Sequence, residues 1–259
     1  MSAKTTPTGT TTTSPGVCVN PIRLRGYYLR IAADTGEILT AVGSPATANT
    51  IVTVACKDRR AVCCSACARL YERDAYQLIA AGLRGGKTVP PEIAGNPAVM
   101  VTLTPPTFGA VHGNRRHRPC SCGQRHHADD PLLGTPINPD SYRYLQQVAF
   151  NRYAPELWKR TVQNIRRALA DTLCVPRGKL SRTVVVRFAK VAEFQRRGVV
   201  HYHAIIRLDV PGHPGAQPPD ACTTRLLAEV VSAAIRAAIV TLPHQVLAEL
   251  PAGTPARLR

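Results

Sequence analysis

The run Val199-Val200-His201-Tyr202-His203-Ala204-Ile205-Ile206-Arg207-Leu208 is so rich in β-branched and apolar residues that it reads as a strand, and it carries two histidines two residues apart. Side chains along a strand alternate between faces, so His201 and His203 point one way and Tyr202 the other. The preceding residues 183–194 have the same character, and Gln195-Arg196-Arg197-Gly198 joins the two runs with a glycine where a tight turn needs one. With residues 196–198 as the loop, Gln195 pairs with Val199 and Glu193 falls opposite His201. Two imidazoles and one carboxylate on one face suit a divalent ion with open coordination positions, Mn²⁺ or Mg²⁺. A hairpin whose histidines only pack or hydrogen-bond is the plainer reading, and a carboxylate in register with His-x-His weighs against it.

Around this hairpin the pattern predicts a strand over 98–104, a basic loop, helices within 141–173 that Pro155 divides in two, and an apolar helix near 223–242. The order β-α-β-β-α makes the fold class α+β, an antiparallel sheet with helices on one face and the hairpin strands in the sheet centre. Residues 96–259 form this core. Residues 1–16, almost all Thr, Ser, Pro and Gly, read as a disordered tail. Between them, residues 17–95 form a small module with strands at 22–30 and 51–56 and a helix over 65–83 that Gly85-Gly86 ends. Arg69, Tyr71 and Arg73 could face DNA, though a solvated helix face is the commoner explanation, and Trp158 reads as a core residue rather than a base-stacking platform. No internal repeat is visible.

Lys and Arg total 33 against 16 Asp and Glu, a net charge of +17. Such an excess attracts polyanions, and nucleic acid is the expected partner, although an arginine-rich composition alone also produces a basic surface. Arg196 and Arg197 in the turn, Arg115 and Arg116 in the basic loop, and Lys159 and Arg160 on the helix are the candidate phosphate contacts; for the last pair a solvent-facing helix is an equal alternative. No uninterrupted apolar stretch reaches the length of a membrane span and the start lacks a signal peptide's hydrophobic segment, so the expected location is cytoplasmic, with no membrane contact.

Three stretches resemble a known family. Residues 99–104, an apolar strand ending Thr102-Leu103-Thr104, are similar to the first motif of the rolling-circle plasmid replication initiators of actinobacteria, members of the HUH (His-hydrophobic-His) endonuclease superfamily. Residues 190–203, from Lys190 through Glu193 and the turn to His203, resemble that family's metal motif closely. Ala154-Pro155-Glu156-Leu157-Trp158, with its basic helix, is the third. The resemblance covers roughly residues 17–240. It implies a ferredoxin-like HUH core, an origin-DNA substrate in single-stranded or hairpin form, host replication proteins as partners, and nicking in which a metal polarises the phosphate and a tyrosine attacks it.

Nine cysteines in a reducing compartment favour metal over disulfides. Cys64 and Cys67 have the spacing that lets two thiolates share a Zn²⁺, and Cys56 stands close upstream. Cys18, in a stretch that resembles the family's opening, completes the set, with Cys63 as a possible substitute. Cys120 and Cys122, flanked by His112, His117, His126 and His127, could form a second zinc site in a loop, although their spacing fits no common zinc pattern. The resemblance weighs against it, since some members carry a further cysteine pair where this chain has Asn138 and Ser141, and a solvated His- and Arg-rich loop touching phosphate is the plainer expectation.

The resemblance places the attacking tyrosine on a helix after the hairpin, yet the tyrosines are 27, 28, 71, 76, 142, 144, 153 and 202, none beyond His203. The expectation is that the chain is the N-terminal part of a longer initiator. The alternatives are a relaxase that uses Tyr27 or Tyr28, and an origin-binding regulator that does not cut.

Overall fold

A computed structural model describes residues 18–42, 51–114 and 118–258. The tail expected over 1–16, and Arg115 and Arg116, lie outside the described residues. The chain divides into two units after Ala81.

In the first unit, β1 (Ile22–Arg25) pairs antiparallel with β4 (Ile51–Val54), and β2 (Tyr28–Ile31) with β3 (Ile38–Val42); α1 (Ser65–Arg84) follows. The strand expected over 22–30 is two, interrupted at Gly26 and Tyr27, the one expected over 51–56 ends at Val54, and β3 was not expected from the sequence. All four residues of β1 are exposed. The buried residues described in this unit are Thr53, Cys64, Cys67 and Ala81. So little apolar burial does not offset the entropy of ordering the chain, and something other than a hydrophobic core must hold these elements together.

The second unit has such a core. Its elements run β5 (Ala98–Leu103), α2 (Tyr144–Thr172), α3 (Leu180–Thr183), β6 (Val185–Phe194), β7 (Val200–Asp209), α4 (Thr224–Arg236), β8 (Val240–Thr241), α5 (His244–Ala248) and β9 (Arg257–Leu258). The sheet order is β5-β7-β6, antiparallel throughout, so β7 is central and flanked on both sides. Tyr202, Ala204, Ile206 and Leu208 on β7 are buried. They share one core with Phe150, Ala154, Trp158, Val162, Ile165 and Leu169 of α2 and Leu227, Val230, Val231 and Ala234 of α4. Each fully buried Leu or Ile there contributes about 1.5–3 kcal/mol. The Thr223 hydroxyl caps α4 by accepting from the Leu226 amide at 3.1 Å.

Three expectations need correcting. Pro155 does not divide the helical region: α2 is one helix with Pro155 inside it. Proline costs about 3 kcal/mol in a helix interior, but the buried stripe from Ala149 to Ala170 runs through it, and packing on the sheet outweighs one lost hydrogen bond. The last helix is shorter than expected and ends at Arg236, after which the chain extends into β8. Although the order β-α-β-β-α-β matches a ferredoxin-like unit, β8 pairs with β9, so the main sheet holds three strands among the described residues.

The β6–β7 turn is tight. The Gln195 amide donates to the Val199 carbonyl at 2.9 Å and the Gly198 amide to the Gln195 carbonyl at 2.7 Å, with Gly198 at φ +74°. From α2, Gln147 Nε2 donates to the Arg197 carbonyl at 2.9 Å and Asn151 Nδ2 to the Gly198 carbonyl at 2.8 Å, while Asn151 Oδ1 accepts from the Val200 amide at 2.9 Å. On another side Gly134, at φ +87°, packs so closely that an added Cβ would sit 2.5 Å from the Arg196 carbonyl carbon. Gly134→Ala should destabilise the protein by about 2 kcal/mol or more through left-handed strain plus backbone overlap. Gly178→Ala, with nothing within 4 Å of its added Cβ, should stay within about 0.5 kcal/mol of wild type; thermal unfolding of the two variants checks both.

Candidate metal centres

The buried alternation of β7 leaves His201 and His203 on the sheet face away from the helices, and β6 pairs Glu193 directly with His201. The three residues expected from the sequence therefore converge. The two Nε2 atoms are 2.9 Å apart, and Glu193 Oε2 lies 3.7 Å from His203 Nε2. Ligands about 2.1 Å from a cation and at right angles to one another stand about 3 Å apart, so the geometry suits one ion. All three ligand atoms lie within 4.8 Å of one another. Glu193 is exposed and both histidines are partly exposed, so an ion held there would face solvent.

Thr102 supplies what the ligand triad alone lacks. β5 pairs Thr102 with His203, and its Oγ1 is 3.1 Å from His203 Nδ1. With the hydroxyl oxygen accepting a hydrogen bond from Nδ1–H, the tautomer would be the one whose Nε2 lone pair faces the cluster. The sequence put Thr102 in a motif but gave it no task; its pairing across β5–β7 was the missing information.

In the first unit Cys18, Cys56, Cys64 and Cys67 bring their Sγ atoms within 4.8 Å of one another, and Cys63 is not among them. The Cys56 amide lies 3.4 Å from Cys18 Sγ and the Asp58 amide 3.5 Å from Cys56 Sγ. Backbone amides of Cys67 and Val19 directed at Cys64 hold its thiol down at about 6. Those amides favour the thiolate, the form that binds metal, at Cys64, whereas burial pushes the Cys67 thiol up to about 12. All nine cysteines are free.

A second Cys/His cluster departs from the expectation of a solvated loop. His112, Cys120, Cys122 and His126 converge within 4.8 Å, with Cys120 and His126 buried. His127 is exposed and faces Asp129, and His117 lies outside the described residues. The Asp130 carboxylate, 2.6 Å from His126 Nδ1, pushes that histidine up to about 9. Each of these three sets could hold a metal ion such as zinc.

The expected phosphate contacts fare unevenly. Arg196 is exposed at the turn. Arg197 is partly committed, its Nε donating to Gln195 Oε1 at 2.7 Å and its Nη2 to the Pro105 carbonyl at 3.4 Å. Lys159 and Arg160 are exposed but both pair with Glu156, at 3.4 and 2.9 Å. Tyr27 is exposed and Tyr28 opens β2, both in the first unit. Tyr202 is buried on the helix side of β7, its ring 6.4 Å from that of Trp158 and 3.9 Å from Lys190 Nζ.

Fold and sites together define a basic α+β protein with a four-cysteine cluster and an exposed two-histidine, one-carboxylate centre. Residues 8–254 match the family described as replication initiator protein, pSAM2, and the chain belongs to that family. It is 39% identical over 241 residues to a replication initiator protein of Streptomyces ambofaciens, which covers 92% of this chain and 52% of that protein. The chain thus spans about half the length of the curated relative it matches. No solved structure matches it. Among the described residues no helix is long and apolar enough to cross a membrane.

Two substitutions separate ligand from support at the hairpin. His201→Ala with His203→Ala should abolish Mn²⁺ binding in calorimetric titration. Thr102→Val should keep the site but weaken it by roughly 10-fold or more, the usual effect of losing a partner behind a ligating histidine.

Proposed function

We propose that this chain carries the metal-binding and DNA-binding part of a rolling-circle plasmid replication initiator, an HUH endonuclease that nicks origin DNA. The observation that carries the reading is the convergence of Glu193, His201 and His203 on the open face of a β-α-β-β-α core. The family match and the +17 charge support it. The strand order β5-β7-β6 supports a ferredoxin-like HUH core whose fourth strand is displaced into the β8–β9 pair.

In this reading a Mn²⁺ or Mg²⁺ ion held at the hairpin would offset negative charge on the scissile phosphate. Glu193 and the two imidazoles orient the site, Thr102 keeps His203 in the ligating tautomer, and Arg196 reaches a neighbouring phosphate. A tyrosine oxygen forms the bond to phosphorus as the bond to the 3′-oxygen breaks. The products are a 5′-phosphotyrosyl ester and a free 3′-hydroxyl, with the phenolic proton passing to the leaving oxygen through solvent. Tyr202 does not serve, because its ring lies on the helix side of the sheet, opposite the histidines. The resemblance expects the nucleophile on a helix after the hairpin, and residues 204–259 hold no tyrosine; Tyr27 or Tyr28 is the relaxase-like alternative. Cys18, Cys56, Cys64 and Cys67 would hold a zinc ion that ties the N-terminal module together, and chelation should then unfold that module first.

Residues 1–259 should bind single-stranded or hairpin origin DNA with an affinity that falls about 10-fold or more between about 50 and 200 mM salt. They should form no covalent adduct on a denaturing gel when Mn²⁺ is added. An adduct lost on Tyr27→Phe or Tyr28→Phe would move the protein to the relaxase class. A flat salt response with no adduct would remove the DNA reading altogether.

A further inference from the structure

We propose that His112, Cys120, Cys122 and His126 hold a structural zinc ion, separate from the hairpin centre and from the four-cysteine cluster, and that this ion clips the long loop between β5 and α2 against the β6–β7 turn. The proposal stands whether or not the hairpin centre cuts DNA.

The distances are those of a closed tetrahedral site. Zinc with nitrogen ligands near 2.05 Å and sulfur near 2.3 Å has N···N edges of about 3.3 Å and N···S edges of about 3.6 Å. His112 Nδ1 and His126 Nε2 are 3.1 Å apart, Cys122 Sγ is 3.3 Å from His126 Nε2, and Cys120 Sγ is 4.0 Å from His112 Nδ1. The surroundings are built for a cation. Asp130 Oδ2 accepts from His126 Nδ1 at 2.6 Å and its Oδ1 accepts from the Leu132 amide at 2.8 Å, which fixes the ring so that Nε2 is the atom offered to the cluster. The Gly113 amide lies 3.4 Å from Cys120 Sγ, and the Cys120 amide closes a turn on the Gln124 carbonyl at 2.8 Å. Hydrogen bonds alone give no reason for two imidazoles and two thiols to meet at one point half removed from solvent.

The loop also needs such a link. Between β5 and α2 the described residues form no helix or strand, only isolated bridge residues such as the Val111–Pro136 pair and Arg118. Loops of that length inside a folded unit require a device to order them. The base is laced by the His112 amide to the Thr135 carbonyl at 2.9 Å and the Gly134 amide to the His112 carbonyl at 2.8 Å. His112 is therefore both a ligand and part of the base that places Gly134 on Arg196. Across this junction lies a cavity of 540 Å³ lined by His112, Gly113, Asn114, Gly134, Arg196 and Arg197, among others. The zinc sets the position of one wall, and the hairpin turn with its arginines forms the other.

The full chain, purified without chelators, should carry two equivalents of zinc by elemental analysis. Cys120→Ser with Cys122→Ser should remove one, and Cys64→Ser with Cys67→Ser the other. With cobalt as the probe in the Cys64→Ser, Cys67→Ser background, a two-thiolate tetrahedral spectrum should persist. Adding His112→Cys should keep the ion and move its thiolate bands toward a three-thiolate pattern, a readout that survives if the double serine variant folds poorly. Trypsin cleavage after Arg125 should accelerate about 10-fold or more in the Cys120→Ser, Cys122→Ser variant. Zinc content unchanged by those two substitutions, or a cobalt spectrum blind to His112→Cys, would overturn the site. Unchanged proteolysis at Arg125 on zinc loss would overturn the clip.

Discussion

The antiparallel register of β6 and β7 governs the second unit, because it decides which face of the sheet each chemically active side chain occupies. A slip of one residue would turn His201 and His203 into the helix layer and expose Tyr202, Ala204, Ile206 and Leu208. Losing the burial of three large side chains at about 1.5–3 kcal/mol each makes the slipped form inaccessible. The core thereby fixes the metal site without touching it. The turn reinforces this, since Gln147 and Asn151 of α2 occupy the carbonyls of Arg197 and Gly198 and leave the loop no freedom to lengthen or shorten.

The first unit reverses that dependence. Its strands expose Ile22, Leu24, Leu29 and Ile31, and its described buried residues include two of the four clustered cysteines. With so little apolar burial among its described residues, an ion held by Cys18, Cys56, Cys64 and Cys67 would supply stability that a core does not. In one unit the fold positions the ligands, and in the other the ligands would hold the fold.

What could be read from the sequence follows from which interactions are local. The hairpin centre was legible because a period of two and a glycine turn set Glu193 opposite His201 over a few residues of chain. The order of strands and helices was legible for the same reason. The role of Thr102 was not, since it depends on β5 pairing with β7 across a hundred residues. The His112–His126 cluster was legible only as a possible zinc set: which of the neighbouring histidines join Cys120 and Cys122 was not, because the loop brings His112 in from its base by hydrogen bonds that no periodicity encodes. One local sign was present, Asp130 four residues after His126, the spacing of a histidine and its supporting carboxylate. Pro155 misled because a local rule was applied where a long buried stripe decides.

Charge arithmetic distinguishes the three centres. A protein of net charge +17 attracts polyanions but repels cations, so each metal site must bring its own negative charge. Four thiolates at Cys18, Cys56, Cys64 and Cys67 would outweigh the two charges of a zinc ion, and the two thiolates Cys120 and Cys122 would match them. Both sites would then be electrostatically complete and closed, as structural sites are. At the hairpin a single carboxylate, Glu193, would leave half of a divalent ion's charge uncompensated on an exposed face. An anionic oxygen from outside the protein would complete that centre best, and under the proposed function a DNA phosphate, attracted by the surplus of Lys and Arg, would supply it. The centre least able to retain its ion alone would then gain most when a phosphate arrives, which would couple metal binding to DNA binding at the site proposed to cut.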